Sequence, residues 1–206
     1  MEWPKKLRQE HVEGCQVFAD RHAMIKSMTA RGFAEIAEIG VGFGDFSEIL
    51  LRELKPKTFH AFDIFQVHQL ESMLYKNTAE IFGGLEHRAY YERRFAEEVS
   101  SGIVRVHEGD SSVMLSHLPD ESLDMIYIDG LHNIDGVRVD AAVSLDKIKP
   151  RGMLIFNDYL LTTHLGEHYG VVQIVNELCV DHGWKMTHFA LHNAMFCDVA
   201  LVHGNS

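Results

Sequence analysis

Glu38-Ile39-Gly40-Val41-Gly42-Phe43-Gly44-Asp45-Phe46 is the stretch on which the reading of the chain turns. It lies between an apolar run with strand character, 33–39, and a run with helical spacing, 46–54. Three glycines alternate across the turn, and an acidic residue precedes the first by two positions. A backbone without Cβ atoms turns sharply and approaches a ligand closely, and the first N–H groups of the following helix point at that ligand. The stretch therefore predicts a cradle for a nucleotide-like molecule.

Working outward, Lys57-Thr58-Phe59-His60-Ala61-Phe62-Asp63 reads as a second strand. Strand, tight turn, helix and strand in so short a span form one βαβ unit, which requires a parallel sheet. The alternation continues. A strand at 103–107 runs into Gly109-Asp110-Ser111-Ser112, and a short helix then stops at Pro119. The strand at 123–128 runs into Asp129-Gly130, and a helix over 134–148 ends at the turn signal Lys149-Pro150-Arg151-Gly152. A strand at 153–156 leads into Asn157-Asp158-Tyr159, and a helix follows over 170–182. The last two strands, 184–192 and 195–203, lie close enough to pair antiparallel. The fold class is α/β, a doubly wound Rossmann-like sheet in one domain over residues 1–206.

Two regions stand outside this rhythm. Residues 1–31 read as a helical cap, with a loose helical spacing over 8–31 that Gly14 interrupts. Residues 66–101 read as an insertion or lid, with a helix from Gln66 to Lys76 and a turn at Gly83-Gly84. A formal charge of −11 and the lack of a basic block beyond Lys5-Lys6 and Arg93-Arg94 weigh against a nucleic-acid partner. No apolar run reaches the roughly 18 residues of a membrane span, and the N-terminus has no apolar signal core. Cys15, Cys179 and Cys197 are widely spaced and fit a reducing compartment, so the expectation is a cytoplasmic protein without a membrane partner. A homo-oligomer is compatible with the sequence.

The glycine spacing separates two cofactor classes. A dinucleotide fingerprint asks for G-x-G-x-x-G/A, but here the third glycine comes one position early and Asp45 takes the place of the small residue. Glu38-x-Gly40-x-Gly42-x-Gly44 resembles the pattern of class I S-adenosylmethionine-dependent methyltransferases. The resemblance covers about 33–203 and is strongest over 36–63 and 123–159, where Tyr127-Ile128-Asp129-Gly130 and Asn157-Asp158-Tyr159 resemble a subgroup of small-molecule O-methyltransferases. It implies a seven-stranded sheet whose last strand is antiparallel. It further implies that Glu38, Gly40, Gly42, Gly44, Asp63, Asp110, Ser111 and Asp129 bind the cofactor, with Asp63 on the ribose hydroxyls and Asp110-Ser111 near the adenine.

Acids at the C-terminal ends of parallel strands converge on the ligand crevice. Asp129, Asn157 and Asp158 offer hard oxygens suited to Mg²⁺ or Ca²⁺, and many relatives in the subgroup hold Mg²⁺ with acids at such positions. His132 lies three residues past Asp129, and an imidazole there can take a hydroxyl proton. His132 and Asp129 are thus the catalytic candidates, with a small-molecule hydroxyl as acceptor. His164-x-x-x-His168 has a helical metal spacing but lacks the Glu of a zincin, and follows the Asn157-Asp158 loop as a candidate substrate contact. Ser111-Ser112 sit in no nucleophile elbow. The alternatives are a nicotinamide oxidoreductase on a similar sheet and a non-catalytic binding module.

Overall fold

The computed structural model describes residues 3–73, 76–163 and 165–204. Its strands are β1 (Gln16–Phe18), β2 (Glu35–Ile39), β3 (Thr58–Asp63), β4 (Ser72–Met73), β5 (Lys76–Asn77), β6 (Val104–Glu108), β7 (Leu123–Ile128), β8 (Ile148–Phe156), β9 (Trp184–Ala190) and β10 (Asp198–His203). The α-helices are α1 (Gln9–Val12), α2 (Arg21–Ser27), α3 (Asp45–Leu54), α4 (Thr78–Phe82), α5 (His87–Arg94), α6 (Ala96–Ser100), α7 (Ser111–Ser116), α8 (Ile134–Lys147) and α9 (Val171–His182). Eight strands form one sheet in the order β1-β9-β10-β8-β7-β2-β3-β6. Only β10 runs against the others there, paired antiparallel with both β8 and β9.

Crossover helices cover both faces, so the central strands are buried on both sides rather than alternating. The pleat sends Ile36, Phe59, Met125, Tyr127, Met153 and Ile155 to a core shared with Met24, Phe46 and Leu50 of α2 and α3. It sends Ala37, Ile39, Ile126, Ile128 and Leu154 to a second core shared with Val137 of α8 and Ile174 and Leu178 of α9. Helix α3 starts at Gly44 in the left-handed conformation and buries Phe46, Leu50 and Leu54, one stripe at a spacing of four.

The structure departs from the sequence reading at two places. The sheet has an eighth strand, β1, inside the N-terminal stretch whose spacing suggests only helices. Gly14 (φ +77°) ends α1, and the next residues extend along β9, Gln16 to Phe18 opposite His188 to Ala190. The second departure is the helix expected from Gln66 to Lys76, which is replaced by a 3₁₀ turn (Val67–Gln69) and the paired β4 and β5. Leu70 is exposed, so that stretch lacks a buried stripe. Asn77 caps a new helix by accepting from the Glu80 N–H at 3.1 Å.

Candidate active site

The glycine turn joins β2 to α3, with Gly40, Gly42 and Gly44 all at positive φ. A Cβ on Gly40 would lie 2.1 Å from the Asp129 carbonyl oxygen, so this glycine lets β2 and β7 release their chains side by side. Among the described residues, a Cβ on Gly42 would find only Met73 Cε within 4 Å, at 3.5 Å. Gly44 meets Phe95 and Tyr91 from below, and His87 Nε2 donates to the Gly42 carbonyl at 2.5 Å. The 66–101 segment thus buttresses the underside of the loop through α5 and Phe95. His87 is buried, and burial holds its imidazole below its ordinary pKa, in the neutral form that donates from Nε2. Sequence reasoning missed this residue because a histidine in a charged, aromatic stretch carries no spacing signal.

Glu38 is buried behind the turn, where Ser47 donates to its carboxylate, and burial pushes its pKa up to about 8. Asp63 closes β3 with its carboxylate turned to the loop. Oδ2 accepts from Val41 N at 2.9 Å and Gly42 N at 3.3 Å, and Oδ1 accepts from Phe65 N at 2.7 Å. Asp110 caps α7, accepting from the Ser112 and Val113 N–H groups. Ser111 turns inward and donates to Asp140 at 2.5 Å. The cofactor candidates therefore do surround one end of the sheet. Asp63 and Asp110 hold loop geometry there.

Across the Gly40–Asp129 contact lie the strand-end acids. His132 Nε2 stands 3.3 Å from Asn157 Oδ1, 3.5 Å from Asp129 Oδ1 and 3.6 Å from Asp158 Oδ2. Its ring stacks on Tyr169 with centroids 4.7 Å apart. Burial lowers the imidazole pKa, raises that of Asp129 and pushes Asp158 up to about 6. Among the described residues no group of three or more His, Cys, Asp or Glu side chains is arranged to hold a metal. The three oxygens expected to bind Mg²⁺ gather around the Nε2 of His132. His164 lies outside the described residues; Thr162 bonds His168 Nδ1 at 3.3 Å.

Beneath this cluster runs a buried network. Arg21 donates to the Tyr127 hydroxyl at 3.3 Å, and that hydroxyl donates to Asp198 Oδ2 at 2.6 Å. Asn157 Nδ2 donates to Asp198 Oδ1 at 3.1 Å, which fixes the amide so that its oxygen faces His132. Burial pushes Asp198 up to about 6. Arg21, Tyr127 and Asp198 escaped the sequence reading because they come from α2, β7 and β10, far apart in the chain. Tyr127 and Asp198 also read as ordinary strand residues.

A family model described as a methyltransferase domain matches residues 37–159, from β2 through the Asn157-Asp158 pair. The chain belongs to the methyltransferase-domain family. Solved structures share the fold of this methyltransferase. A Staphylococcus aureus protein assigned as a caffeoyl-CoA O-methyltransferase is 17% identical, with a TM-score of 0.62 over 89% of this chain and 82% of that one. The O-methyltransferase TomG from Streptomyces achromogenes, solved with S-adenosylmethionine, is 19% identical, with a TM-score of 0.59 over 89% and 80%. The N-methyltransferase NodS from Bradyrhizobium japonicum, bound to S-adenosylhomocysteine, is 14% identical, with a TM-score of 0.55 over 88% and 83%. At these identities the likeness establishes the methyltransferase fold and leaves the acceptor atom open. No curated protein matches by sequence. Among the described residues no helix of the methyltransferase is long and apolar enough to cross a membrane.

Proposed function

We propose that this methyltransferase moves the methyl group of S-adenosylmethionine to a hydroxyl of a small molecule. The observation that carries the reading is His132, three residues beyond Asp129 and beside Asn157 and Asp158, with one ring nitrogen that no described residue donates to. Asn157 Oδ1 can only accept, so Nε2 carries the hydrogen that faces it and Nδ1 is the basic atom. Among the described residues no group donates to Nδ1. Asp129 and Asp158 flank the Nε2–H side and stabilise the imidazolium that forms when the acceptor proton arrives. Tyr169 fixes the ring plane.

The residues present suit the donor. Among the described residues, the space beside Gly42 holds only Met73 Cε within 4 Å, and no side chain caps the N-terminus of α3. Glu38, Gly40, Gly42, Gly44, Asp63, Asp110, Ser111 and Asp129 would hold it, and when bound it supplies a methyl group already activated by a sulfonium. The chain's own part is positioning and proton removal. The net charge of −11 supports a small-molecule acceptor over a nucleic acid, and three free cysteines support a reducing, cytoplasmic setting.

Mg²⁺ assistance is a second reading, favoured by the convergence of Asp129, Asn157 and Asp158 oxygens on one point. An ion held by all three would compete with His132 for the same lone pairs, and would lower the pKa of an acceptor hydroxyl bound to it. Calorimetry with S-adenosylhomocysteine and NAD, followed by a product assay on hydroxyl and amine acceptors with Mg²⁺ or EDTA, tests these readings. S-adenosylhomocysteine binding with turnover on hydroxyls supports the proposal. NAD binding alone, or turnover confined to amines, sinks it. Loss of turnover in EDTA, restored by Mg²⁺, selects the metal-assisted version.

A further inference from the structure

The opposite edge of the sheet, where β2, β7 and β8 begin, carries a pocket of about 270 Å³ that methyl transfer does not use. Arg31, Phe33, Asp124, Lys149, Arg151 and Gly152 line it. Asp124 sits at the start of β7 and Asp129 just past its end, so about 17 Å of strand separates this pocket from the proton-transfer cluster.

A break in the ladder builds the pocket. Leu123 pairs with Ile148 but Met125 pairs with Met153, so the four residues Lys149 to Gly152 stand against Asp124 alone. Such a bulge re-aims side chains at a strand end. It closes tightly here, because a Cβ on Gly152 would lie 2.6 Å from Ile148 Cγ1 and 3.0 Å from the Lys149 carbonyl oxygen. Lys149 and Arg151 thereby share one rim with Arg31, the last residue of a 3₁₀ turn (Thr29–Arg31). Phe33 is buried and gives the pocket an apolar floor.

Three cations thus meet one carboxylate, in a chain whose net charge is −11. That carboxylate is already satisfied. Asp124 Oδ2 accepts from Ala34 N and Glu35 N, both at 2.8 Å, and Oδ1 accepts from Lys149 Nζ at 2.6 Å. Arg31 and Arg151 are exposed, and among the described residues neither has a hydrogen-bond or ion-pair partner. Like charges gathered without acids of their own disfavour the empty pocket and favour an anion in it. Each guanidinium presents five N–H donors in a planar fork that matches phosphate oxygens, and an ammonium has three donors, of which Asp124 takes one. A carboxylate has two oxygens to offer, whereas a phosphate monoester offers three and carries close to two charges at pH 7.

We infer that Arg31, Lys149 and Arg151 bind the phosphate group of a small phosphorylated molecule, at a site separate from methyl transfer. The site does not depend on which donor or acceptor the crevice takes.

Calorimetry on the full chain tests this with inorganic phosphate, glycerol 3-phosphate and malonate, at constant ionic strength in chloride. The variants are Arg31→Ala, Arg151→Ala and Arg151→Lys, with Arg93→Ala, an exposed position on α5 outside the pocket, as the control for loss of one surface charge. Wild type should bind phosphate and its monoester saturably, and the dicarboxylate at least about 10-fold more weakly. Arg31→Ala and Arg151→Ala should each weaken phosphate binding by about 10-fold or more, Arg151→Lys by less, and Arg93→Ala by under about 2-fold. Absence of saturable phosphate binding to wild type overturns the site. A loss in Arg93→Ala equal to those in the pocket variants also overturns it, since general surface charge would then account for the binding. Malonate binding as tightly as phosphate overturns the phosphate assignment. The anion comparison on wild type needs no variant to fold.

Discussion

Gly40 and Asp129 occupy adjoining space: a side chain on the first would stand 2.1 Å from the backbone oxygen of the second. This contact joins the donor loop to the strand end that carries the acceptor chemistry. Gly40 also sits at φ +83°, where an L side chain is strained. Gly40→Ala should therefore destabilise the protein by at least about 3 kcal/mol in urea unfolding and abolish S-adenosylhomocysteine binding. Gly42→Ala has only the strain of φ +50° to bear and a flexible methionine as neighbour, so it should cost about 1–2 kcal/mol. Equal effects at the two positions would contradict this geometry.

His132 should govern the acid limb of the reaction. Burial lowers its pKa, so the imidazole becomes a competent base below the ordinary value of about 6.5. The acid limb of kcat/KM should then fall below pH 6.5. His132→Gln keeps a donor toward Asn157 but has no basic nitrogen, and should lower kcat by about 10²- to 10⁴-fold with S-adenosylhomocysteine affinity unchanged. A limb that survives the substitution assigns the proton acceptor elsewhere.

Tyr127→Phe tests the network beneath the crevice. The hydroxyl is fully buried, donates to Asp198 and accepts from Arg21 and Asn157. Removing it leaves one oxygen of a buried carboxylate short of its closest donor, at a cost of about 1–3 kcal/mol in unfolding free energy. Tyr127→Phe combined with Asp198→Asn should recover part of that loss, because the unpaired charge goes with the hydroxyl. Additive losses in the double variant would show that the two side chains act independently.

What the sequence made legible followed from short-range rules. The glycine turn, the strand–helix alternation and the closing hairpin each sit within a dozen residues of their own signals, and all are present in the structure. Strand ends in a parallel sheet share one edge, so Asp129, His132, Asn157 and Asp158 could be brought together from topology alone. Arg21 and His87 could not, because each acts through a contact across the fold, on Tyr127 and on the Gly42 carbonyl, that no periodicity encodes. The three-residue strand β1 was equally hidden, since its pairing with His188–Ala190 supplies the reason it is extended.

The acid response of stability should depend on His60, on the opposite edge of the catalytic half. His60 is buried on β3, with Nδ1 3.0 Å from His107 Nε2 on β6, Phe62 stacked nearby and Glu35 3.8 Å from its other nitrogen. Burial, with His107 and Arg105 adding to it, pushes its pKa down to about 4. Unfolded chain takes up the proton near pH 6.5 and the folded protein refuses it until about pH 4, so stability falls as the pH drops through that window. The slope is about 1.4 kcal/mol per pH unit, near 3 kcal/mol in all. Glu38, held up at about 8, and Asp158 and Asp198, held up at about 6, act with the opposite sign, since the folded state takes their protons first. Comparing wild type with His60→Gln removes those shared contributions. Urea unfolding of the variant from pH 7.5 to 4 should show a slope shallower by about 1 kcal/mol per unit between 6.5 and 4. Parallel curves for the two proteins would mean that His60 is not the group whose neutral form the fold requires.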